Sequence, residues 1–190
     1  MKIDSFTILA EQPADALAIE RLHEIAFGPG RFARAASLLR EGVPHDDTLS
    51  FVARSGFDLV GSVRLTPIRI GGRPALLLGP LAVHPKRQNL GIGLELMRAG
   101  LARARAMGHR LVILVGDEPY YARVGFRKLP RNLLIMPGPC NPDRLLYLEL
   151  EPGALAAARG LVLPPHRFAE RSASFAVPHG AHGEQQRAEA

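Results

Sequence analysis

The sequence predicts a mixed α/β fold in which helices flank a mostly antiparallel sheet. Runs with the period of a strand alternate with runs of helical period, and three strand-like runs follow one another directly. A further run, Leu-Val-Ile-Leu-Val at 111–115, is apolar throughout, as is typical of a strand buried on both faces. A chain of 190 residues is long enough to bury a core of its own.

The first half of the chain begins with a strand and two helices. Pro13 suits the first position of a helix, and Ala18, Leu22 and Ile25 are expected on its inner side. Gly42 suits a left-handed cap after the second helix. Three strands separated by turn residues then predict an antiparallel meander. The predicted bounds are a strand at 3–9, helices at 13–27 and 32–40, and strands at 48–54, 58–65 and 75–83.

The second half begins with an amphipathic helix at 91–107, whose stripe of Leu94, Met97, Leu101 and Ala104 predicts burial of one face. The remaining predicted elements are a strand at 111–115, a short helix at 118–124, and strands at 126–128, 133–136 and 145–150. We therefore expect one folded domain over residues 1–152, a packed arm over 153–170 and a flexible tail over 171–190.

Composition restricts the classes of function. The single cysteine, Cys140, cannot form an internal disulfide, which favours a reducing compartment. The sequence shows no secretory signal and no apolar run of membrane-spanning length, so we expect a cytoplasmic protein without a membrane partner. The net charge is +6, but the basic residues are scattered and no nucleic-acid-binding motif is present, so no nucleic-acid partner is expected. We also expect no metal site.

The segment Gln88-Asn89-Leu90-Gly91-Ile92-Gly93 follows a predicted strand and opens the amphipathic helix. Unpaired amides at the start of a helix suit a phosphate, and the two glycines allow close approach to the backbone. A Rossmann fingerprint is excluded because Leu96 occupies the place of its third glycine. An ordinary helix start without a ligand remains the alternative.

A second segment, 116–126, follows the buried strand directly. Ligands of open sheets bind beyond the carboxyl ends of strands, which makes Asp117, Tyr120 and Tyr121 candidates for function. The alternative is structural, with Asp117 as a helix cap and Tyr120 and Phe126 as core aromatic residues.

Together these motifs resemble the GCN5-related N-acetyltransferase (GNAT) family. Q-x-x-G-x-G at 88–93 is similar to its acetyl-CoA signature, R/Q-x-x-G-x-G/A, and Y-x-x-x-G-F at 121–126 resembles its later motif. The stretches L-G-P-L-A-V at 78–83 and V-G-D-E-P-Y-Y at 115–121 resemble the YhbS-like branch of predicted acetyltransferases. The likeness covers about residues 3–150, and the order of predicted elements agrees with that fold.

The resemblance implies the acyl-CoA N-acyltransferase fold, in which two central strands splay apart and hold the pantetheine arm between them. The backbone groups of Leu81, Ala82 and Val83 would bind that arm, with a bulge at Gly79–Pro80. The diphosphate would take the amides of residues 88–93. Tyr121 matches the tyrosine that often serves as general acid in the family.

The implied mechanism is direct attack of an amine on the thioester, with the oxyanion held by the Val83 amide. A phenol of pKa about 10 would protonate a thiolate of pKa about 8.5 at a cost of about 2 kcal/mol. No acid occurs at 76–83, so Asp117 is the predicted base, with Glu118 or an already deprotonated amine as alternatives.

We therefore expect an acetyl-CoA-dependent N-acetyltransferase that modifies a primary amine, with a small molecule as acceptor and no metal. The acceptor pocket is expected between residues 13–41 and 130–142. The alternatives are a protein or peptide N-acyltransferase, an enzyme for longer acyl groups, and a CoA-binding sensor that lacks catalysis. A homodimer also remains open.

Overall fold

The computed structural model describes residues 5–28 and 35–175. The helices are α1 (Ala16–Phe27), α2 (Ala35–Leu38), α3 (Ile92–Ala106), α4 (Glu118–Tyr121) and α5 (Pro165–Phe175). The strands are β1 (Thr7–Ala10), β2 (Phe51–Ser55), β3 (Asp58–Ile70), β4 (Arg73–Val83), β5 (Leu111–Val115), β6 (Arg127–Lys128), β7 (Leu134–Ile135), β8 (Leu145–Glu149) and β9 (Gly160–Leu163). Short 3-10 turns precede α1, β2, α3 and β8, and another follows α4.

The strands form one sheet in the order β1-β2-β3-β4-β5-β8-β6. Neighbouring strands along this path are antiparallel except β4 and β5, which run parallel. The predicted mixed α/β class and the antiparallel meander of β2, β3 and β4 are therefore confirmed. β9 adds to the sheet beside β3 and also pairs with β7.

Each face of the sheet covers a core of its own. On one face, α3 buries the predicted stripe of Leu94, Met97, Leu101 and Ala104 against residues of β3, β4 and β5. On the other face, Leu39 beyond α2 packs with residues of the segment after β8. Because β4 and β5 contribute side chains to both cores, their apolar runs are explained by burial on both faces.

The inner face of α1 differs from the expected one. Ile19, Leu22 and His23 are buried, whereas Ile25 is 56% exposed. The helix therefore turns a histidine inward, and this histidine is bonded to Ser62 of β3, with Nε2 and Oγ 3.1 Å apart. Apolar periodicity alone misplaces the face because it counts a buried, hydrogen-bonded histidine as polar and therefore outward.

Other bounds differ at the ends of elements. The first strand begins at Thr7, and residues 3–4 of the predicted strand lie outside the described residues. β3 continues to Ile70 because β4 pairs with it as far as Arg73. The predicted arm contains β9 and the first part of α5, so the expected boundary after residue 170 falls inside this helix. The rest of the expected tail, 176–190, lies outside the described residues.

Replacing Gly71 by alanine is expected to lower the free energy of unfolding by about 3 kcal/mol. Gly71 has a φ of 52°, and a Cβ there would overlap the backbone carbonyl oxygen of Arg159, the residue just before β9. Gly56 is the matched control, because its φ is 61° but nothing lies within 4 Å of an added Cβ. For Gly56→Ala, the free energy of unfolding measured by urea denaturation should fall by about 1 kcal/mol. Equal losses for the two variants would contradict the expected clash.

Candidate active site

The sheet opens between its two parallel strands. β4 and β5 pair only at Leu76 with Val112 and at Leu77 with Ile113. Beyond these residues β4 remains paired with β3 as far as Val83, and β5 remains paired with β8 to its end. The two strands therefore part, and the gap between them is a property of the fold.

A bulge lies in β4 beside this gap. Val63 pairs with Leu81 and Leu65 pairs with Leu78, so Gly79 and Pro80 together oppose Arg64 alone. Two residues opposite one is the definition of a bulge. The bulge predicted at Gly79–Pro80 is therefore confirmed.

Beyond the bulge, alternate residues of β4 turn their backbone groups into the gap. The His84 amide donates to the carbonyl of Val60 at 2.9 Å, which marks a hydrogen-bonded position of the antiparallel ladder. Val83, one residue earlier, must then direct its amide and carbonyl away from β3, and Leu81 does the same. Ala82 lies between them, and its backbone groups face β3. Of the three predicted contacts, Leu81 and Val83 have backbone groups that face the gap.

The start of α3 lies after β4 and its amides are open. Gly91 is the N-cap, with a φ of 82°, and its carbonyl accepts hydrogen bonds from Leu94 and Glu95 at 3.0 and 3.1 Å. Among the described residues, a run of consecutive amides before these has no hydrogen-bond partner. These amides belong to Asn89, Leu90, Gly91, Ile92 and Gly93. The amide of Gln88, by contrast, donates to Pro85 at 3.4 Å.

The side chain of Tyr120 leaves no room for a Cβ at position 93, so a glycine is required there. A Cβ at this position would overlap the hydroxyl of Tyr120, which comes from α4. The glycine therefore permits both an open helix terminus and close contact between α3 and α4. The sequence suggested only the first of these reasons.

Tyr121 is the adjacent residue of α4, and a second glycine accommodates it. A Cβ at Gly116 would overlap the Tyr121 ring, which also makes edge contacts with the rings of Tyr120 and Phe126. Burial, reinforced by nearby Tyr120 and Asp117, raises the pKa of Tyr121 to about 12, while Arg144 opposes the shift. The phenol therefore remains protonated at every ordinary working pH.

Asp117 does not lie beside Tyr121 as a free carboxylate. Its side chain is 77% exposed, and its Oδ1 is 3.1 Å from Nε of Arg144. Arg144 lines the cavity described next, whereas Asp117 does not. Of the two predicted catalytic side chains, only Tyr121 reaches the cavity wall.

A cavity of about 790 Å³ lies beside the gap. Its wall includes residues 78–81 of β4 together with Val115 and Tyr121, so it meets the gap where the strands part. The rest of its wall comes from α1, from α2 and the residues after it as far as His45, from β3, and from residues 139–144. The sequence placed the acceptor pocket between residues 13–41 and 130–142, and the wall draws on both of these segments. The contributions of β3, of residues 43–45 and of Arg144 lie outside that prediction.

The cavity also contains charged and polar residues that the sequence analysis missed. They are Glu20, His23, Arg40, Glu41, His45, Arg64 and Thr66. Arg64 is bound to the buried carboxylate of Glu11, which also lies 3.1 Å from Nε2 of His45. The segment Gly-Ser-Val-Arg-Leu-Thr at 61–66 indicated a polar face on this strand, because polar side chains alternate with apolar ones. The sequence did not show that both faces of the strand are buried.

Cys140 lies in the cavity wall as well. Burial raises the pKa of its thiol, with Arg144 opposing the shift, so the thiolate is disfavoured. Within the described ranges, 5–28 and 35–175, no group of three His, Cys, Asp or Glu side chains is placed to hold a metal ion. None of the helices described has the length and apolar character needed to cross a bilayer.

Comparison with known proteins agrees with this geometry. Residues 46–128 match the family model of the acetyltransferase (GNAT) domain. The chain is 33% identical to the uncharacterized N-acetyltransferase YjhQ of Escherichia coli K12 over 130 residues, which are 66% of this chain and 72% of that protein.

Solved structures show the same fold. The GNAT protein YhbS of Escherichia coli, in complex with CoA, superposes with a TM-score of 0.72 at 28% identity over 86% of this chain and 92% of that one. A GNAT acetyltransferase of Brucella melitensis, in complex with acetyl-CoA, superposes with a TM-score of 0.56 at 32% identity. The match covers 76% of this chain and 96% of that one. The family and fold expected from the motifs are thereby confirmed. The chain belongs to the GNAT family of N-acetyltransferases, and the protein is an acyltransferase.

Proposed function

We propose that the protein transfers the acetyl group of acetyl-CoA to the primary amine of a small molecule. One observation carries this proposal: the cavity and the gap between β4 and β5 share a wall that contains Tyr121. A thioester in the gap would therefore face an amine in the cavity, and the two reactants would meet without a covalent enzyme intermediate. The complexes of the two structural relatives with CoA and acetyl-CoA support the choice of donor.

The diphosphate of the donor would bind at the start of α3. Five consecutive amides that have no partner in the described part of the chain, together with the positive end of a 15-residue helix, suit an anion. The arm would then run along β4, where Leu81 and Val83 present backbone groups to the gap. Gln88 and Ala82 complete the predicted binding segment by position, without an open amide of their own.

The transition state needs a donor for the oxyanion and an acid for the leaving sulfur. The Val83 amide, which faces the gap, is the proposed oxyanion donor. Tyr121 is the proposed acid. With a pKa of about 12, complete transfer to a free thiolate of pKa about 8.5 would cost about 5 kcal/mol, more than an ordinary phenol requires. Protonation must therefore accompany cleavage of the C–S bond, when the sulfur is held close to the phenol.

The amine must also lose a proton, and two routes remain. Asp117, the base predicted from the sequence, would act through water because its carboxylate is paired with Arg144. Alternatively, the acceptor binds already deprotonated, and no protein base is needed. Replacing Asp117 by asparagine separates these routes, because only the first predicts a lower rate at neutral pH with an unchanged rate at alkaline pH.

Calorimetry of the full chain with acetyl-CoA tests donor binding, and thiol release over a panel of primary amines tests transfer. We expect one binding site for acetyl-CoA and amine-dependent release of CoA. Absence of binding at high micromolar acetyl-CoA would refute the proposal. If acetyl-CoA binds but no amine in the panel causes release of CoA, the result would instead favour a CoA-binding sensor.

The pH dependence follows from the raised pKa of Tyr121. An acid must be protonated to act, and a group of pKa about 12 stays protonated throughout the accessible range. For an amine acceptor, kcat/KM should therefore rise about tenfold per pH unit up to the pKa of the amine and show no fall below about pH 11. Initial rates between pH 6 and 10.5 check this. A fall near pH 9 to 10 would contradict the role of a buried phenol.

A further inference from the structure

The side chain of Tyr120 reaches from α4 to the first turn of α3. Its hydroxyl occupies the place that a Cβ of Gly93 would take, and Cγ2 of Val83 lies 3.5 Å from that place. Val83 is the last residue of β4, and Gly93 is the last residue in the run of open amides. The hydroxyl therefore lies where the gap meets the helix terminus that would hold the diphosphate.

This hydroxyl is not used within the described part of the protein. Among residues 5–28 and 35–175, the Tyr120 side chain makes an edge contact with the ring of Tyr121, at 5.2 Å between centroids, but its hydroxyl forms no hydrogen bond. The residue is 36% exposed, whereas its hydroxyl lies against Gly93, which is buried. A polar end that is turned inward without a protein partner is available to a ligand.

The charges around the hydroxyl are compatible with an anion. Burial raises the pKa of Tyr120, with Arg123 opposing the shift, so the phenol stays protonated at neutral pH and can donate. The carboxylates of the two elements in contact, Glu95 on α3 and Asp117 and Glu118 at the start of α4, are each in an ion pair. An anion at the hydroxyl would therefore meet a neutral donor and a nearby guanidinium, with every carboxylate of these elements already matched by a cation.

The two adjacent tyrosines of α4 face different parts of the site. Tyr121 packs against Gly116 and belongs to the cavity wall, whereas Tyr120 meets Gly93 and lies outside that wall. This divergence follows from the helix, in which consecutive side chains point about 100° apart. Tyr121 is thus directed toward the acyl end of the gap, and Tyr120 toward the start of α3.

We propose that the Tyr120 hydroxyl donates a hydrogen bond to the diphosphate of the bound acetyl-CoA, so that Tyr120 serves donor binding while Tyr121 serves the chemical step. This inference rests on the proposed function, because it adds a residue to the same donor site. The diphosphate is the expected partner because the groups beside the hydroxyl, the amides of Ile92 and Gly93, are donors as well, and converging donors suit an anion. A pantetheine amide, with a single carbonyl oxygen, would leave most of these donors unused.

The first test separates binding from chemistry in the full chain. Tyr120→Phe should raise the Kd for acetyl-CoA about tenfold or more, as expected for a lost hydrogen bond to a charged group. Its single-turnover rate at saturating acetyl-CoA should stay within about twofold of the wild type. Tyr121→Phe should show the reverse, a slower rate with unchanged Kd. Tyr147→Phe, on β8, is the matched control and should change neither quantity.

A purely structural role of the hydroxyl would give a different pattern. Because the hydroxyl forms no hydrogen bond in the described ranges, Tyr120→Phe should leave the urea midpoint of the ligand-free protein unchanged. Only the additional stability that acetyl-CoA confers should fall. A lower midpoint without ligand, together with an unchanged stabilisation by acetyl-CoA, would assign the hydroxyl to folding and overturn the proposal.

The second test uses the contact with Gly93. Gly93→Ala should raise the Kd for acetyl-CoA about tenfold, because the added methyl group displaces the hydroxyl. In the Tyr120→Phe background the same substitution should have little further effect, because the hydroxyl is gone and Cζ of the ring lies 3.4 Å from the methyl position. A methyl group that merely blocked the helix terminus would weaken binding equally in both backgrounds.

The third test identifies the group that accepts the hydrogen bond. Phosphorus NMR of CoA bound to the full chain resolves the diphosphate from the 3′-phosphate. At CoA concentrations that saturate both proteins, Tyr120→Phe should shift the diphosphate resonances and leave the 3′-phosphate resonance in place.

Each outcome decides between the two claims. An unchanged Kd in Tyr120→Phe, an equal effect of Gly93→Ala in both backgrounds, or a shift confined to the 3′-phosphate resonance would overturn the role of Tyr120 while leaving acetyl transfer intact. A rate loss in Tyr120→Phe as large as that in Tyr121→Phe, with Kd unchanged, would overturn it as well. Failure of the wild-type chain to bind acetyl-CoA would refute the proposed function itself.

Discussion

Replacing Tyr121 by phenylalanine is expected to lower kcat for acetyl transfer by about 10²- to 10⁴-fold, which is the usual contribution of a general acid. The variant removes the hydroxyl and keeps the ring, whose edges contact Tyr120 and Phe126. Packing against Gly116 and the fold around α4 should therefore persist, and acetyl-CoA should bind as before. Single-turnover measurement of CoA release at saturating acceptor isolates the chemical step.

Tyr147 provides the matched control for this variant. It lies on β8, is partly buried against the core that contains Leu77 and Ile113, and is the third tyrosine of the chain. Its phenylalanine variant should leave kcat within about twofold of the wild type, because Tyr147 is not part of the cavity wall and the ring that packs against the core is kept. If Tyr121→Phe behaves like this control, Tyr121 is not the acid, and water must protonate the sulfur.

Replacing Gly91 by aspartate is expected to weaken acetyl-CoA binding by about 100-fold. The added carboxylate would lie at the N-cap of α3, among the open amides proposed to hold the diphosphate, and would repel it. Space is not the cause, because nothing lies within 4 Å of a Cβ at this position. Calorimetry with acetyl-CoA measures the change directly, and a salt series should show the effect shrinking as ionic strength rises.

Gly91→Asn is the control that removes the charge and keeps the size. Asparagine tolerates the left-handed conformation of this residue, whose φ is 82°, about as well as aspartate does. The difference between the two variants therefore reports electrostatics alone. An unchanged affinity in the aspartate variant would place the diphosphate elsewhere on the protein.

Much of the fold could be predicted from local patterns. The apolar stripe of α3 and the continuous apolar run of β5 depend on periodicity, which is a property of the residues themselves. Asn89 has a φ of 64°, as its residue type allows, and the glycine at position 91 caps the helix. The open amides after β4 follow in turn, because the first amides of any helix lack partners inside it.

The remainder of the site depends on contacts between distant segments. The inward turn of His23 depends on Ser62, which lies 39 residues away in the sequence. The polar face of β3 was visible as alternation, but only the packing of α1 and α2 shows that it is buried. The raised pKa of Tyr121 likewise arises from burial and from neighbours on other elements, which a sequence motif does not describe.

The contact between Gly93 and the Tyr120 hydroxyl has an evolutionary consequence. The family signature permits either glycine or alanine at the last position of its motif, but here a methyl group would collide with the phenol. Relatives that carry alanine at this position should therefore have a smaller residue, or a differently oriented ring, in place of Tyr120. The two positions should covary across the lineage, although 26 residues separate them between positions 93 and 120.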